Sequence, residues 1–382
     1  MITYSFLQHY WWFLIALLGG LLSFLLFVQG GQSMIFSLSK TEDEKRLLVN
    51  VLGRKWEYTF TTLVTFGGAI FASFPLLYST SFGGAYWVWM IILFCFTLQA
   101  VSYEFQTKAG NLLGKNTYRF FLFLNGLLGT FLLGVVIATF FTGSDFVVDK
   151  ANISNPLSPI ISRWQHPWHG LEALLNLRNV CLGLAVFFLS RTLAALYFIN
   201  RVDHEMLEKR SRKYLWYNAI PFVVFFLAFV IWTFLSDGFA VHPVSGEVYL
   251  SPHQYFLNLV EMPAVMTTFL LGIVGVLYGI IRTLFSENYR KGIWFAGAGT
   301  VLAVLGLLLL VGFNNTALYP SATYVQSSLT LSNASSSEFT LKVMSIVSLI
   351  IPFVVIYIFY AWRALEKKRT NVEEINEDPH AY

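Results

Sequence analysis

Nine long apolar runs, separated by short polar connections, constrain this chain more than any other feature. They lie at about 10–37, 57–78, 85–107, 118–141, 172–200, 214–236, 256–284, 292–314 and 341–364. Each is close to or above the roughly 20 residues a helix needs to cross a bilayer core. A backbone in lipid must satisfy its own hydrogen bonds, so runs of this length are read as helices. Composition agrees: 56% of the 382 residues are hydrophobic and 12% charged, where soluble domains carry about 25% charged residues. The predicted fold is an all-α polytopic membrane protein with about nine transmembrane helices. Residues 1–364 form one transmembrane domain and 365–382 a charged, mobile cytoplasmic tail. No cleavable signal is expected, because the first run is too long and lacks a basic region before it.

Charge sets the orientation. One set of connections and segment ends holds Lys40, Lys45, Arg46, Arg54, Lys55, Lys108, Lys115 and Arg119. The same face continues through Arg191, Arg201, Lys209, Arg210, Arg212, Lys213, Arg282, Arg290 and Lys291, and ends with Arg363, Lys367, Lys368 and Arg369. The other face has only Lys150, Arg163, Arg178 and Lys342 on or near it. The positive-inside rule makes the rich face cytoplasmic. An odd number of spans then puts the N-terminus outside and the C-terminus in the cytoplasm. Trp11, Trp12, Trp56, Trp87 and their neighbours fall near segment ends, as an interfacial belt requires. Pro75, Pro221, Pro263 and Pro352 also fall near segment ends, where a missing N–H is best tolerated. The stretches 76–80 and 317–321 are alike, a faint trace of an internal repeat.

Ionisable groups at membrane depth are the default functional candidates, and here they are few. Glu57 opens the second run, Glu104 nears the end of the third, and Gln29-Gly30-Gly31-Gln32 interrupts the first. If the first three helices pack together, these groups meet on the cytoplasmic side, where a carboxylate could pass protons inward. The plainer reading is an interfacial Glu beside Lys55 or Lys108, snorkelling to water. Arg178 and Arg191 are read as structural, paired with Glu172 or with lipid phosphate, and Glu261 with Pro263 as a helix cap. Cys95 and Cys181 are read as buried small hydrophobes. No CxxC pair argues for a metal or disulfide framework.

None of the seven histidines (His9, His166, His169, His204, His242, His253, His380) falls in the centre of a run. A membrane haem needs axial His or Met within the bundle, so the chain is read as a poor haem binder. The sequence has no phosphate-binding loop, dinucleotide fingerprint, HExxH or nucleophile motif. Its basic residues are explained by topology, which leaves no patch for nucleic acid.

Four stretches, in this order along a nine-span chain, resemble subunit II of the cytochrome bd-type quinol oxidases. They are Trp11-Trp12 with the polar break at 29–32; Trp56-Glu57 leading to 67–75; Val101-Ser102-Tyr103-Glu104-Phe105 with Lys108; and 318–344, with Leu318-Tyr319-Pro320-Ser321 and Thr340-Leu341-Lys342. The resemblance implies a bacterial inner-membrane subunit of a respiratory oxidase. Its partner, subunit I, would carry haem b and haem d, oxidise quinol and reduce O2 to water. Subunit II would stabilise that partner in a pseudo-symmetric heterodimer embedded in lipid. A structural quinone in this subunit and small accessory subunits belong to the same expectation. The family often has Asp-Gly-Phe-Asp where this chain has Gln29-Gly30-Gly31-Gln32, and an amide does not titrate near neutral pH. Glu57 keeps a carboxylate where the family commonly has Asp. Glu57, Glu104, Gln29 and Gln32 are therefore the proton-path candidates.

A secondary transporter is the second reading, since transporters place broken helices and ionisable groups at the midplane. Here the ionisable groups lie near segment ends, and glycine pairs also serve close helix packing. A free-standing membrane enzyme lacks a catalytic constellation.

Overall fold

The computed structural model describes residues 3–108, 110–366 and 368–377. The first predicted run becomes α1 (Tyr4–Leu25), α2 (Phe27–Gln32) and α3 (Ile35–Leu38), followed by α4 (Glu42–Gly53). The second becomes α5 (Trp56–Ser73), stopped at Phe74 and restarted by Pro75 as α6 (Pro75–Tyr78) and a π turn at Ser79–Gly84. The third is α7 (Tyr86–Phe105). The fourth is α8 (Lys115–Leu124), a π segment (Asn125–Gly129) and α9 (Thr130–Thr142). A hairpin of β1 (Phe146–Val148) and β2 (Ser162–Trp164) precedes α10 (Leu177–Arg201) and α11 (Glu205–Leu235). A second hairpin, β3 (Gly238–Val241) with β4 (Val248–Ser251), leads to α12 (Gln254–Glu261), α13 (Pro263–Phe285) and α14 (Gly292–Leu308). The chain closes with α15 (Leu331–Ala334), α16 (Glu338–Ser348), α17 (Ile351–Leu365) and α18 (Val372–Glu377).

The protein is mostly helical. Six helices are long and apolar enough to cross a membrane, and seven if α16 and α17, bent by 40°, count as one span. The second and eighth predicted runs are the shorter helices α5, of 18 residues, and α14, of 17. α10 runs down the centre, packed against α9, α11 and α2, while α1 packs on α14 and α5. One core cluster joins Trp12, Phe74, Phe141, Phe229, Tyr255 and Tyr319. A second, at the basic end, joins Phe27, Leu48, Tyr103, Phe198, Val202 and Ile375. Cys95 and Cys181 are free and buried, as expected.

Several local expectations change. Trp12 is fully buried rather than interfacial, because its indole N–H finds the end of α14: Nε1 donates to Leu308 O (3.2 Å) and Val311 O (2.9 Å). Pro221 lies inside α11, which begins well before the predicted run at Glu205. The two similar stretches take different conformations, helical at Pro75–Tyr78 but extended around Tyr319, which bridges Leu329. The connection after the first run holds a helix, α4, closed by a capping box in which Thr41 Oγ1 accepts from Glu44 N and Glu44 accepts from Thr41 N.

The tail was expected to be mobile, yet 368–377 folds back onto the bundle. Thr370 bridges Val202, Arg369 pairs with Asp203 (2.8 Å) and Glu208 (3.1 Å), and Glu374 with Arg54 (2.9 Å). Ile375 is buried in the basic-end core. His380 and the end of the predicted tail, 378–382, lie outside the described residues, as does Lys367.

Candidate functional site

The polar break of the first run is the centre of the most unusual group in the fold. α1 ends at Leu25 and α2 carries Gln29, Gly30, Gly31 and Gln32 fully inside the protein. Glycine is required here by close approach. A Cβ on Gly30 would stand 2.1 Å from the carbonyl of Ser190 on α10. A Cβ on Gly126 would stand 2.3 Å from Gln29 O. α2 is thus wedged between α10 and the π segment, and only small residues allow backbones this close. The π turn presents Asn125 to the wedge, a common use of such bulges.

Four amides and one phenol meet there. Gln29 Nε2 and Gln32 Nε2 each donate to Gln99 Oε1 at 2.6 Å, and Asn125 Nδ2 donates to the same oxygen at 2.9 Å. Asn125 Nδ2 also reaches Gln32 Oε1 (2.9 Å), and Gln32 Nε2 donates to Tyr103 OH (3.0 Å). Three donors on one oxygen exceed its two lone pairs. Gln29 Oε1, Gln99 Nε2 and Asn125 Oδ1 have no hydrogen-bond partner among the described residues. All four amides are 0% exposed. The knot ties α2, α7 and the π segment together without carrying a charge.

Gln99 and Asn125 were absent from the sequence candidates. The only signal was an isolated amide within an apolar run, and spacing does not show that two such amides meet.

Glu57 and Glu104 lie elsewhere. Trp56 stacks on Tyr103 (ring centroids 5.9 Å apart, planes at 14°), which joins the ends of α5 and α7. One residue further along a helix turns about 100°, so both carboxylates point away from that contact and are exposed. Among the described residues neither makes an ion pair. The structure therefore brings Gln29 and Gln32 together and leaves Glu57 and Glu104 on the surface. The link between them is the Tyr103 side chain, which touches the knot through its hydroxyl and Trp56 through its ring.

The basic face is tied by ion pairs. Glu44 binds Arg210, and Glu208 collects Arg212 (3.3 Å), Arg290 (3.0 Å) and Arg369. Lys55, 1% exposed, faces Glu366 at 3.6 Å and the Trp362 ring at 4.1 Å. Burial pushes its ammonium down to about 8, against the opposing pull of Glu366. Arg178 does not meet Glu172, whose oxygens accept from Trp164 Nε1 (2.7 Å) and Gly170 N (2.8 Å). Arg191 donates to Asn218 Oδ1 (2.7 Å) and Ser33 Oγ (3.1 Å). Pro263 is the first residue of α13, whose cap position is held by Met262 with no side-chain bond, and Glu261 accepts from Asn314 instead of capping the helix.

The donor set does not fit haem ligation. His9 spends Nδ1 on Ser5 O, and the other described histidines sit in loops or at helix starts. Met34 is packed in the core, and Met90 is exposed. No group of three or more His, Cys, Asp or Glu able to hold a metal occurs among the described residues.

Comparison with known proteins agrees along the full chain. The family model for cytochrome bd terminal oxidase subunit II matches residues 7–365. A probable cytochrome oxidase subunit 2 of Haemophilus influenzae is 25% identical over 100% of both chains. The cytochrome bd-I ubiquinol oxidase subunit 2 of Escherichia coli K12 is 24% identical over 100% of both. The cytochrome bd ubiquinol oxidase subunit 2 of Bacillus subtilis is 28% identical over 85% of this chain and 86% of its own. A chain of the bd oxidase structure from Geobacillus thermodenitrificans superposes with a TM-score of 0.63 at 14% identity, covering 94% of this chain and 98% of that one, which shows a shared fold. These matches and the apolar helices describe a multi-pass protein of the bacterial inner membrane. This chain belongs to the cytochrome bd terminal oxidase subunit II family.

Proposed function

We propose that this chain is the subunit that supports, without ligating, the haem centres of a quinol:O2 oxidoreductase. Its partner, subunit I, binds haem b and haem d, oxidises quinol and reduces O2 to water. The observation that carries this reading is the family match over 359 residues (7–365) in a chain none of whose seven histidines falls in the centre of an apolar run. In this reading nine segments cross the bilayer, with α5 and α14 among them, the N-terminus outside and the basic face in the cytoplasm. The chain lends the complex stability, and the partner supplies the redox chemistry.

The proton-path reading divides the candidates in two. Glu57 and Glu104, exposed at the basic end, are groups that can exchange protons. Gln29 and Gln32, locked with Gln99 and Asn125, hold hydrogen bonds and do not titrate. A proton entering this subunit would start at Glu57 or Glu104 and would need Tyr103 to reach the knot. Turnover and proton uptake of the assembled Glu57→Gln oxidase test this. A several-fold drop supports a route through Glu57, and unchanged rates eliminate it.

The function itself is tested by tagging the chain and purifying it gently from its native membrane. A reduced-minus-oxidised spectrum with haem b and d bands, a co-purifying partner and quinol-driven O2 uptake are expected. A colourless, partnerless and inactive preparation would overturn the reading.

A further inference from the structure

A groove of about 680 Å3 opens at the basic end between α1, α5, α14 and α17. Its volume is in the range of about 300–1,000 Å3 typical of small-ligand sites. The wall is apolar, with Leu21 and Phe24 facing Val355 and Phe359, while Trp294 and Trp362 stand nearer the mouth. The mouth carries Arg201, Lys291 and Arg363 and one acid, Glu366. That acid is already spent: it faces Lys55 at 3.6 Å and Arg201 at 3.9 Å, and accepts from Tyr197 OH at 3.1 Å. Lys291 and Arg363 make no ion pair among the described residues, and both are exposed. The mouth therefore has two cations to spare above an apolar trough.

A second observation concerns α17, none of whose 15 residues is fully buried and which is seated on the rest of the chain chiefly through the half-buried Trp362. Its groove-facing side, with Val355 and Phe359, looks across open space at α1. An apolar occupant of that space would extend the seat that Trp362 already makes on Phe24 and Phe27. Spare cations at the interface, tryptophans at head-group level and an apolar trough below match the chemistry of an anionic lipid. A neutral quinone head would leave both cations uncompensated.

We propose that this groove is a binding site for a glycerophospholipid with an anionic head group. Its phosphate sits at Lys291 and Arg363, and its acyl chains lie along Leu21, Phe24 and Phe359. The lipid completes the packing of α17. The site requires that the chain lie in a membrane, and does not depend on the oxidase reading. Lipid content and melting temperature test it, and neither depends on turnover.

The test uses the tagged complex purified from native membrane, with co-purifying lipids and quinones quantified by mass spectrometry. The complex is then stripped of lipid and titrated with phosphatidylglycerol or phosphatidylcholine in mixed micelles, while its melting temperature is followed. Phosphatidylglycerol is expected to raise the melting temperature and phosphatidylcholine to leave it nearly unchanged. Each interfacial cation contributes about fivefold to anionic-lipid affinity. Lys291→Gln should weaken the phosphatidylglycerol midpoint about fivefold, and the Lys291→Gln, Arg363→Gln pair about 30-fold. Leu21→Trp, which narrows the trough and keeps the cations, should also lower bound lipid. Equal stabilisation by both lipids, or an unchanged midpoint in the double variant, would overturn the proposal. So would a variant-dependent loss of bound quinone with phospholipid content unchanged.

Discussion

Two buried polar knots hold this molecule together, and they use opposite chemistry. Inside α2, α7 and the π segment the groups are amides; at the foot of α5, α10 and α17 they are Lys55 and Glu366. The four amides and Lys55 are buried, while Glu366 is half-buried at the mouth of the groove. Their sequence positions explain the difference. The amides stand within apolar runs, where an unpaired charge would cost several kcal/mol or more. Lys55 and Glu366 stand just outside such runs, beside Arg201, Arg54 and the docked tail, where a charge can be matched before it is covered. The amide knot is held by neutral hydrogen bonds and the Lys55–Glu366 knot by an ion pair.

The comparison can be broken from the amide side with the largest effect. Gly30→Val places side-chain atoms where the Ser190 carbonyl already sits. It should unseat α2 at a cost of about 4 kcal/mol or more, enough to abolish folded protein. Fluorescence-detected size exclusion of the tagged chain would show loss of the monodisperse peak. A normal peak with an unshifted melting temperature would mean that α2 is not wedged.

Breaking the charged knot comes next. Lys55→Met leaves Glu366 buried with a weaker set of partners, at a cost of about 3–5 kcal/mol. Replacing both, Lys55→Met with Glu366→Leu, should recover most of that loss, because two desolvated charges are removed together. Melting temperatures of the two singles and the double complete the cycle. Additive losses would show that the two side chains do not form one unit.

Within the amide knot the order of effects is the prediction. Gln99→Leu deprives three donors of their acceptor and should cost about 2–3 kcal/mol. Gln32→Leu also removes three bonds, but Asn125 and Gln29 keep Gln99 Oε1 as their acceptor, so it should cost about 1–2 kcal/mol. The reverse order in thermal melts would mean that Gln99 is not the hub.

The smallest effects are in pH, and at two charged sites stability rises with pH in two separate windows. Hydrogen bonds from Lys45 and then Arg119 hold the Glu42 carboxyl down at about 2, below its ordinary 4.5. Its contribution is complete above pH 4.5 and is lost as pH falls toward 2. Glu42 is 63% exposed, so the effect is a few tenths of a kcal/mol. Lys55, held at about 8 rather than 10.5, acts in the alkaline range. Between those values the unfolded chain binds more protons, so stability rises as pH climbs from 8 to 10.5. Glu42→Gln should flatten the acid limb of melting temperature against pH, and Lys55→Met the alkaline limb. If both limbs survive in both variants, other groups control the profile.

Much of this was legible before any coordinates. A helix occupies each apolar run, and the break at Gln29-Gly30-Gly31-Gln32 marked the first half of the amide knot. The family resemblance matched 7–365. The second half of the knot was not legible, because Gln99 and Asn125 are single polar residues in apolar surroundings and only packing shows that they meet. Trp12 carried the signature of an interfacial residue, and its burial depends on carbonyls nearly 300 positions away. The docked tail escaped for a similar reason. A charged, polar stretch has the composition of a free end, and its partners Arg54, Val202 and Asp203 are distant in sequence.

The docking of Glu366 and 368–377 also has a consequence in time. A ribosome delivers this segment after every apolar helix. Until it arrives, Lys55 has no carboxylate opposite it, and the α4 surface that takes Ile375 lies bare. A nascent or truncated chain lacking these residues would carry a lone ammonium against the Trp362 ring and an open apolar seat beside it, the features quality-control proteases act on.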